Sequence, residues 1–558
     1  MKTKHQNSSQ GEAVTERIGR HWRAWLLVAC AGVAGIGLAM TWARVRAAER
    51  SEDGLWEQSE QVAQQLRERG EIPARARVFR LEEARLTRVL AGRANSNEKD
   101  RGDRRGVITL PMPEGAFERV RLEDVQVMEP ALAARFPEIK NYRGESVERG
   151  AWSLRMTHSP QGLSAFVTDG ERTVSIQPME VDGARYYVSA WGQDYEAVAG
   201  EARCLVGETE LRGQGELARR TSRRNLRAFA PPVGATKRTY RIAIATTAQY
   251  VTDFGGSSSA QASLTTWVNV LNGIFEKELS VAFTLVTNTN VMGNAQFNGL
   301  SLSQMADKSR EVLQQNVGLA NYDLGLVFGT GATSGLSYIG AVCENGGDGG
   351  FAYKGGGAVL FATVCGVGCN AGNDTGAGML AHEVGHLFGA THTFNADNAQ
   401  CNPTTRVPET AYESGGGLTL MSNAGNCAGN DIAAARALHF HSGSFEQMAA
   451  LINDNFGGCA TVSNNNNNNP PTVSGGADYV IPKLTPFTLT ATGNDTDGGD
   501  VPNLTYVWEE MDAGGAFPNP PYTDQASDPP ETTRPLFRSF APAANGASRT
   551  FPSLNYIK

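Results

Sequence analysis

Histidine is scarce in this chain, with 8 among 558 residues, so any place where histidines gather stands out. Positive charge is in deficit too. Fifty Lys and Arg face 58 Asp and Glu, a formal net charge of −8, which argues against nucleic acid as the main partner. Cysteine is limited to 8 residues. Around Cys365 and Cys369 no second Cys or His pair stands at zinc-ribbon spacing, which makes a structural zinc site there a poor reading. Hydrophobic residues make up 41% of the chain, enough for ordinary cores, and the length implies about three or four domains.

Three of the 8 histidines fall in one stretch, His382-Glu-Val-Gly-His386-Leu-Phe-Gly389-Ala-Thr-His392, which spells H-E-x-x-H-x-x-G-x-x-H. On a helix, His382 and His386 sit one turn apart on one face and can grip one Zn²⁺. Glu383 stands beside the first ligand, placed to take a proton from a zinc-activated water. Gly389 can adopt positive φ, end the helix and turn the chain back, so that His392 closes a third corner. A fourth corner left open marks a catalytic rather than a structural zinc. Asp374-Thr375 can cap the helix start, and Met379, Leu380, Val384, Leu387 and Phe388 supply the apolar stripe that holds it to a core. Downstream, Met421 lies in Gly417-Leu-Thr-Leu-Met-Ser-Asn-Ala-Gly425, a tight turn that can floor the site with a soft apolar side chain.

The stretches HEVGHLFGATHTF, TLMSNAGNC and GLSYIGAVC (ending at Cys343) resemble the metzincin metallopeptidases, most closely the reprolysin (adamalysin) branch in its bacterial, secreted form. The resemblance covers roughly Lys237–Cys459. Thr393 follows the third histidine where typical reprolysins place Asp. An H-T-F continuation also occurs in the pappalysin-like branch, the second family reading. The resemblance implies an α/β (α+β) catalytic domain with a twisted mixed sheet and a zinc helix. It further implies one catalytic zinc, protein or peptide substrates, and a secreted enzyme.

Export is also legible at the N-terminus. Arg20 and Arg23 flank the apolar run Ala24–Trp42, and Ala43–Ala48 offers a small-residue cleavage point, so residues 1–47 read as a signal peptide. At about 19 residues the run also allows an uncleaved anchor, the one route to a membrane. Cys30 lies in this segment. The six cysteines of the catalytic region, Cys343, Cys365, Cys369, Cys401, Cys427 and Cys459, are an even number in an exported domain and imply disulfides. Six cysteines allow fifteen pairings. The resemblance favours Cys343–Cys459 and Cys401–Cys427, which leaves Cys365–Cys369.

Residues 48–230 read as a folded propeptide of mixed structure. Leu55–Leu90 has a helical period, and Ala165–Ala190 alternates as hairpins do. This Arg-rich region precedes an acid-rich one, which suits a pro-region docked on its own enzyme as an intramolecular inhibitor. Cys204 is the one cysteine of this region, so no disulfide can form within it. A thiolate is a good fourth zinc ligand, so Cys204 can act as a cysteine switch; a buried structural thiol is the alternative. Arg219–Arg227 is arginine-rich and polar, a cleavable linker, which puts the mature N-terminus near Ala230.

Within 237–460, strands are expected at Thr239–Thr246, Val281–Val286, Tyr322–Phe328 and Ala358–Val364, with helices at Ser263–Glu278 and Leu302–Val317. A small irregular lobe spans Ala390–Cys459. His439 and His441 read as surface or packing residues rather than ligands. Residues 461–471 form an Asn/Pro linker with nothing to bury. Residues 472–558 resemble an incomplete immunoglobulin-like or PKD-like β-sandwich module, with strands in Tyr479–Thr492 and at Leu504–Trp508. Asp495, Asp497 and Asp500 can offer oxygens to Ca²⁺ but lack the full loop pattern, so a solvated turn competes. The expected function is that of a zinc endopeptidase with Glu383 as general base. The alternatives are a non-proteolytic adhesion or binding protein on the same scaffold, and a zinc hydrolase of another amide.

Overall fold

Alternating apolar and polar residues build the first sheet. In Phe117–Asp124, Val120 and Leu122 are buried while Arg119, Arg121 and Glu123 face solvent. Nine antiparallel strands between Trp56 and Trp191 form this sheet. The turn between its last two strands is Asp182-Gly183, both residues with positive φ, as a tight hairpin requires. Trp56, Phe79, Leu154, Met156, Val167 and Tyr187 fill its core. The hairpins expected in Ala165–Ala190 are present. The long helix expected over Leu55–Leu90 is not. Two helices, Glu60–Glu68 and Glu83–Ala94, flank the strand Arg77–Leu81. Pro73 cannot continue a helix, and Val78-Phe79 suit a strand.

The computed structural model describes residues 49–94, 106–148, 152–169, 172–195, 203–204, 233–362, 374–398, 401, 404–453, 458–465, 468–482, 485–497, 501–514 and 535–552. Contacts divide the chain between Glu49 and Arg50, and both large sheets and their helices belong to the unit Arg50–Lys558. The N-terminal segment with Cys30 and Ala24–Trp42, the linker 205–232, and Cys365 and Cys369 lie outside the described residues. Among those described, no helix is long and apolar enough to cross a membrane.

The second sheet runs in the order Arg203–Cys204, Ser334–Ser337, Gly357–Phe361, Leu324–Thr330, Thr236–Thr246, Val281–Leu285. The strands Thr236–Thr246, Val281–Leu285, Leu324–Thr330 and Gly357–Phe361 are parallel, and Ser334–Ser337 is antiparallel to its neighbour Gly357–Phe361. Thr461–Asn464 pairs antiparallel with the start of Thr236–Thr246. The helices Ser257–Leu279 and Leu302–Asn316 pack on this sheet, close to where the periodicity puts them. Trp267 of the first stacks on Phe361 with ring centroids 4.3 Å apart. Ser301 and Gln304 make a reciprocal capping box at the start of the second.

The nine-stranded domain is docked on the second. Asn269, buried in helix Ser257–Leu279, donates to the carbonyl oxygens of Met156 at 3.0 Å and Tyr142 at 3.4 Å. Glu276 is shared by Arg155 of the first domain and Lys237 of the second. Residues Val127–Glu129 bond to both sides of Leu285 on the edge strand Val281–Leu285, at 2.7 and 2.9 Å. Arg203–Cys204 takes the opposite edge. Each edge of the catalytic sheet is thus covered in part, at Leu285 on one side and at Ser334–Gly335 on the other.

The C-terminal region departs from expectation. The asparagine run is engaged. Asn465 and Asn468 donate to the Gly234 carbonyl, and Asn469 donates twice to Asp497. Beyond it lie two short ladders, Thr472–Ser474 with Thr492–Asn494 and Phe487–Thr490 with Ser548–Phe551. Leu504–Trp508 is not a strand; Tyr506 makes a single bridge to Ala543. Its neighbours are used for contacts to the catalytic lobe instead.

Candidate metal centre

The helix Asp374–Leu387 carries His382 and His386 one turn apart, with ring centroids 4.6 Å from each other. Its apolar face belongs to the main core, with Met379, Leu380, Val384 and Leu387 all buried. The helix stops where expected. Gly389 has φ +94°, its N–H donates to the His386 carbonyl, and Ala390 N–H donates to the Gly385 carbonyl. The reversal brings His392 to ring-centroid distances of 5.2 Å from His382 and 4.9 Å from His386.

Each imidazole is fixed from behind by a backbone carbonyl. His382 Nδ1 lies 2.6 Å from Leu420 O, His386 Nδ1 2.8 Å from Ala390 O, and His392 Nδ1 2.5 Å from Thr405 O. A carbonyl can only accept, so each Nδ1 carries the proton and each Nε2 presents a lone pair to the centre. Burial lowers the pKa of all three, that of His392 to about 4, so the rings are neutral and ready to ligate.

Cys204 completes the group. The ligand atoms of Cys204, His382, His386 and His392 all lie within 4.8 Å of one another, and all four residues are buried. His382 Nε2 and His392 Nε2 are 3.2 Å apart, and Cys204 Sγ is 3.6 Å from His386 Nε2. Two proton-free nitrogens at that distance repel unless a cation lies between them. Tetrahedral zinc, about 2.0–2.1 Å from nitrogen and about 2.3 Å from sulfur, sets neighbouring nitrogens about 3.3 Å apart and sulfur about 3.6 Å from nitrogen. The donor set therefore fits zinc.

Glu383 is fully buried beside this group, and neither carboxylate oxygen makes a well-formed hydrogen bond. Burial pushes its pKa up to about 8, against the opposing influence of nearby Ser337, Cys204 and Arg436. Gly335 makes room for it: a Cβ there would lie 2.2 Å from Glu383 Oε1. Gly335 is also the residue with which Cys204 pairs in the sheet. The thiol and the carboxylate are thus placed through one backbone position on the edge strand.

Met421 is fully buried under the helix, where a Cβ on Gly385 would meet its sulfur at 2.7 Å. The Met421 carbonyl accepts from Thr393 N at 3.1 Å. Thr393, directly after the third histidine, donates its hydroxyl to Glu413 at 2.5 Å. Glu413 also accepts from Leu418 N, Thr419 N and Thr419 Oγ1, so an acid distant in sequence ties the turn to the third histidine. No short motif points to Glu413, Gly335 or the three carbonyls. Arg436, buried, donates to Ser422 O and Asn423 Oδ1 on the far side of the turn.

The remaining candidate residues take other places. Cys343 pairs with Cys459 and Cys401 with Cys427. His439 and His441 are buried outside the histidine cluster; His441 stacks on Tyr412. Asp497 N donates to Asp495 Oδ1, the oxygens of Asp497 accept from Asn469, and Asp500 is outside the described residues.

No curated protein matches the chain. One similar solved chain is described as "Structure of a chaperone-substrate complex", at 16% identity and a TM-score of 0.22, covering 39% of this chain and 36% of that one. The pappalysin-like branch is not confirmed. The description "Metallo-peptidase family M12" (Reprolysin_5) matches residues 236–432. That match supports a reprolysin-like metzincin over residues 236–432, and together with the Cys–His cluster it suggests a zinc metallopeptidase.

Proposed function

We propose that this chain is an exported zinc endopeptidase made as a latent precursor. One observation carries the reading: three imidazoles and one thiol converge, each imidazole tautomer fixed by a carbonyl. In this reading residues 1–47 direct export and residues 48–230 form the propeptide. Residues 237–460 are the protease, joined by 461–471 to a β module at 472–558. Two disulfides fit an oxidising compartment.

His382, His386 and His392 would hold zinc, which when bound lowers the pKa of water to about 7 and polarises a carbonyl. Glu383 takes the water's proton on its carboxylate and delivers it to the leaving amine. Its buried oxygens support this, because neither makes a well-formed hydrogen bond to the protein. Cys204 would block the fourth position in the precursor. Its pairing parallel to Ser334–Gly335 covers the edge at which an extended substrate would add as a strand. Met421 floors the site.

The test is the matured protein with a peptide library and a chelator control. Glu383→Ala should keep zinc and lose cleavage. A Glu383→Ala protein that cleaves normally with full zinc would overturn the base assignment. Chelator-insensitive cleavage, or zinc binding without any hydrolysis, would favour another class.

A further inference from the structure

The segment Leu504–Gly514, part of which was expected to be a strand, reaches the catalytic lobe at two places: at Ser442 and His439, the latter hydrogen-bonded to Leu420, and at Arg406, which follows Thr405. At the first, Glu509 Oε2 accepts from Ser442 N at 2.6 Å and Ser442 Oγ at 2.5 Å, at the start of helix Ser442–Asn453. Its Oε1 lies 3.6 Å from His439 Nε2, with both side chains almost fully buried at 2% and 4% exposure. The His439 carbonyl accepts from Leu420 N at 2.9 Å, and the Leu420 carbonyl accepts from His382 Nδ1. At the second, Arg406 donates to the Gly514 carbonyl. Arg406 follows Thr405, whose carbonyl accepts from His392 Nδ1.

We propose that this segment is a brace: Glu509 and the Gly514 carbonyl are positioning groups that hold the Leu420 and Thr405 carbonyls, and through them the metal-facing nitrogens of His382 and His392. The inference rests on the zinc reading above. Neighbouring contacts agree with it. Ala437 N donates to Leu418 O at 2.8 Å, so residues 437–439 pair with the turn that carries Leu420, while Phe440 N donates to Glu278 Oε2 at 3.0 Å on helix Ser257–Leu279. The Phe440 ring also reaches the zinc helix, where a Cβ on Gly385 would meet it at 3.2 Å. An anion at a helix N-terminus facing a histidine is a favourable arrangement, and breaking a buried pair strands its partner. Groups that orient metal-bound imidazoles typically change metal affinity by about 10–100-fold when removed.

The experiment uses the full chain loaded with zinc, then with Co²⁺, in wild type, Glu509→Ala, Glu509→Gln and Arg406→Ala. We expect zinc to leave roughly 10-fold faster from Glu509→Ala and the visible Co²⁺ bands to shift. Glu509→Gln, which keeps an acceptor for Ser442, should recover most of both effects. Arg406→Ala should move the same two readouts by less. If Glu509→Ala fails to fold, Glu509→Gln and Arg406→Ala still decide. A lower melting temperature with unchanged zinc release and unchanged Co²⁺ bands would reduce the segment to a docking contact and overturn the brace. A wild type that binds no zinc would instead fail the zinc reading itself.

Discussion

Two distant stretches converge on the histidine cluster, and they do so in opposite ways. Arg203–Cys204 comes from the N-terminal side and meets the cluster directly, with a thiol among the nitrogens and a two-residue ladder to Ser334–Gly335. Glu509–Gly514 comes from the C-terminal side and touches none of the cluster atoms among the described contacts. It meets residues next to the carbonyls behind the rings. In the proposed reading the first contact blocks the face a substrate needs and must leave before the site works, whereas the second supports the scaffold and must stay. A single small lobe can thus carry a removable blocker and a permanent support, because one uses the Nε2 side of the imidazoles and the other the Nδ1 side.

The sharpest way to break this comparison is at the proposed base beside the cluster. Glu383→Ala in the matured protein should cut kcat by about 10²–10⁴ with zinc retained. Steady-state kinetics with metal analysis reads it, and an unchanged kcat would remove the functional meaning of either contact. Next in size is Cys204→Ser. The uncleaved precursor should gain activity while zinc content stays the same. Persistent latency would show that the docked N-terminal domain blocks the site without help from the thiol.

Gly335→Ala separates the two sides more finely. Its new Cβ would overlap Glu383, on the very residue that pairs with Cys204. Overpacking of this kind costs about 1–3 kcal/mol. Melting should show that loss together with reduced turnover, whereas a variant with full activity would mean that Glu383 has room elsewhere. The effect confined to acid conditions is a pH limit on the C-terminal side. Burial opposes ionisation of Glu509, but His441, His439 and Ser442 outweigh it and hold its pKa at about 2, below the usual 4.5. A depressed carboxylate pKa stabilises the fold above the unfolded value, and that stability is lost as pH falls from about 4.5 toward 2, on the order of 3 kcal/mol in all. Glu509→Gln should therefore flatten the acid limb of a stability curve, and an identical limb would place the acid lability elsewhere.

Much of the catalytic fold was legible, since apolar periodicity reports local structure and one buried face. Ser257–Leu279, Leu302–Asn316 and the parallel strands follow from it. The histidines and Cys204 were legible as types, with their spacing setting which can meet. Other features were not. Glu413 ties the residue after the third histidine to the turn, and its partners Thr393 and Thr419 lie up to 20 residues away. Leu504–Trp508 alternates like a strand, yet Glu509 beyond it is claimed by Ser442, 67 residues earlier. For Glu413 and Glu509 a partner far along the chain decides the outcome, and no short window contains it. The period of Leu55–Leu90 suggested helix throughout, but Pro73 interrupts it and Val78-Phe79 favour the strand that pairs with Ala184–Trp191.

The most direct test of the account is metal analysis with X-ray absorption on the purified full-length precursor. The account predicts one zinc per chain with three nitrogen ligands and one sulfur ligand, the sulfur signal vanishing in Cys204→Ser while zinc remains. A precursor that holds no zinc, or holds it with no sulfur bound to the metal, would contradict it.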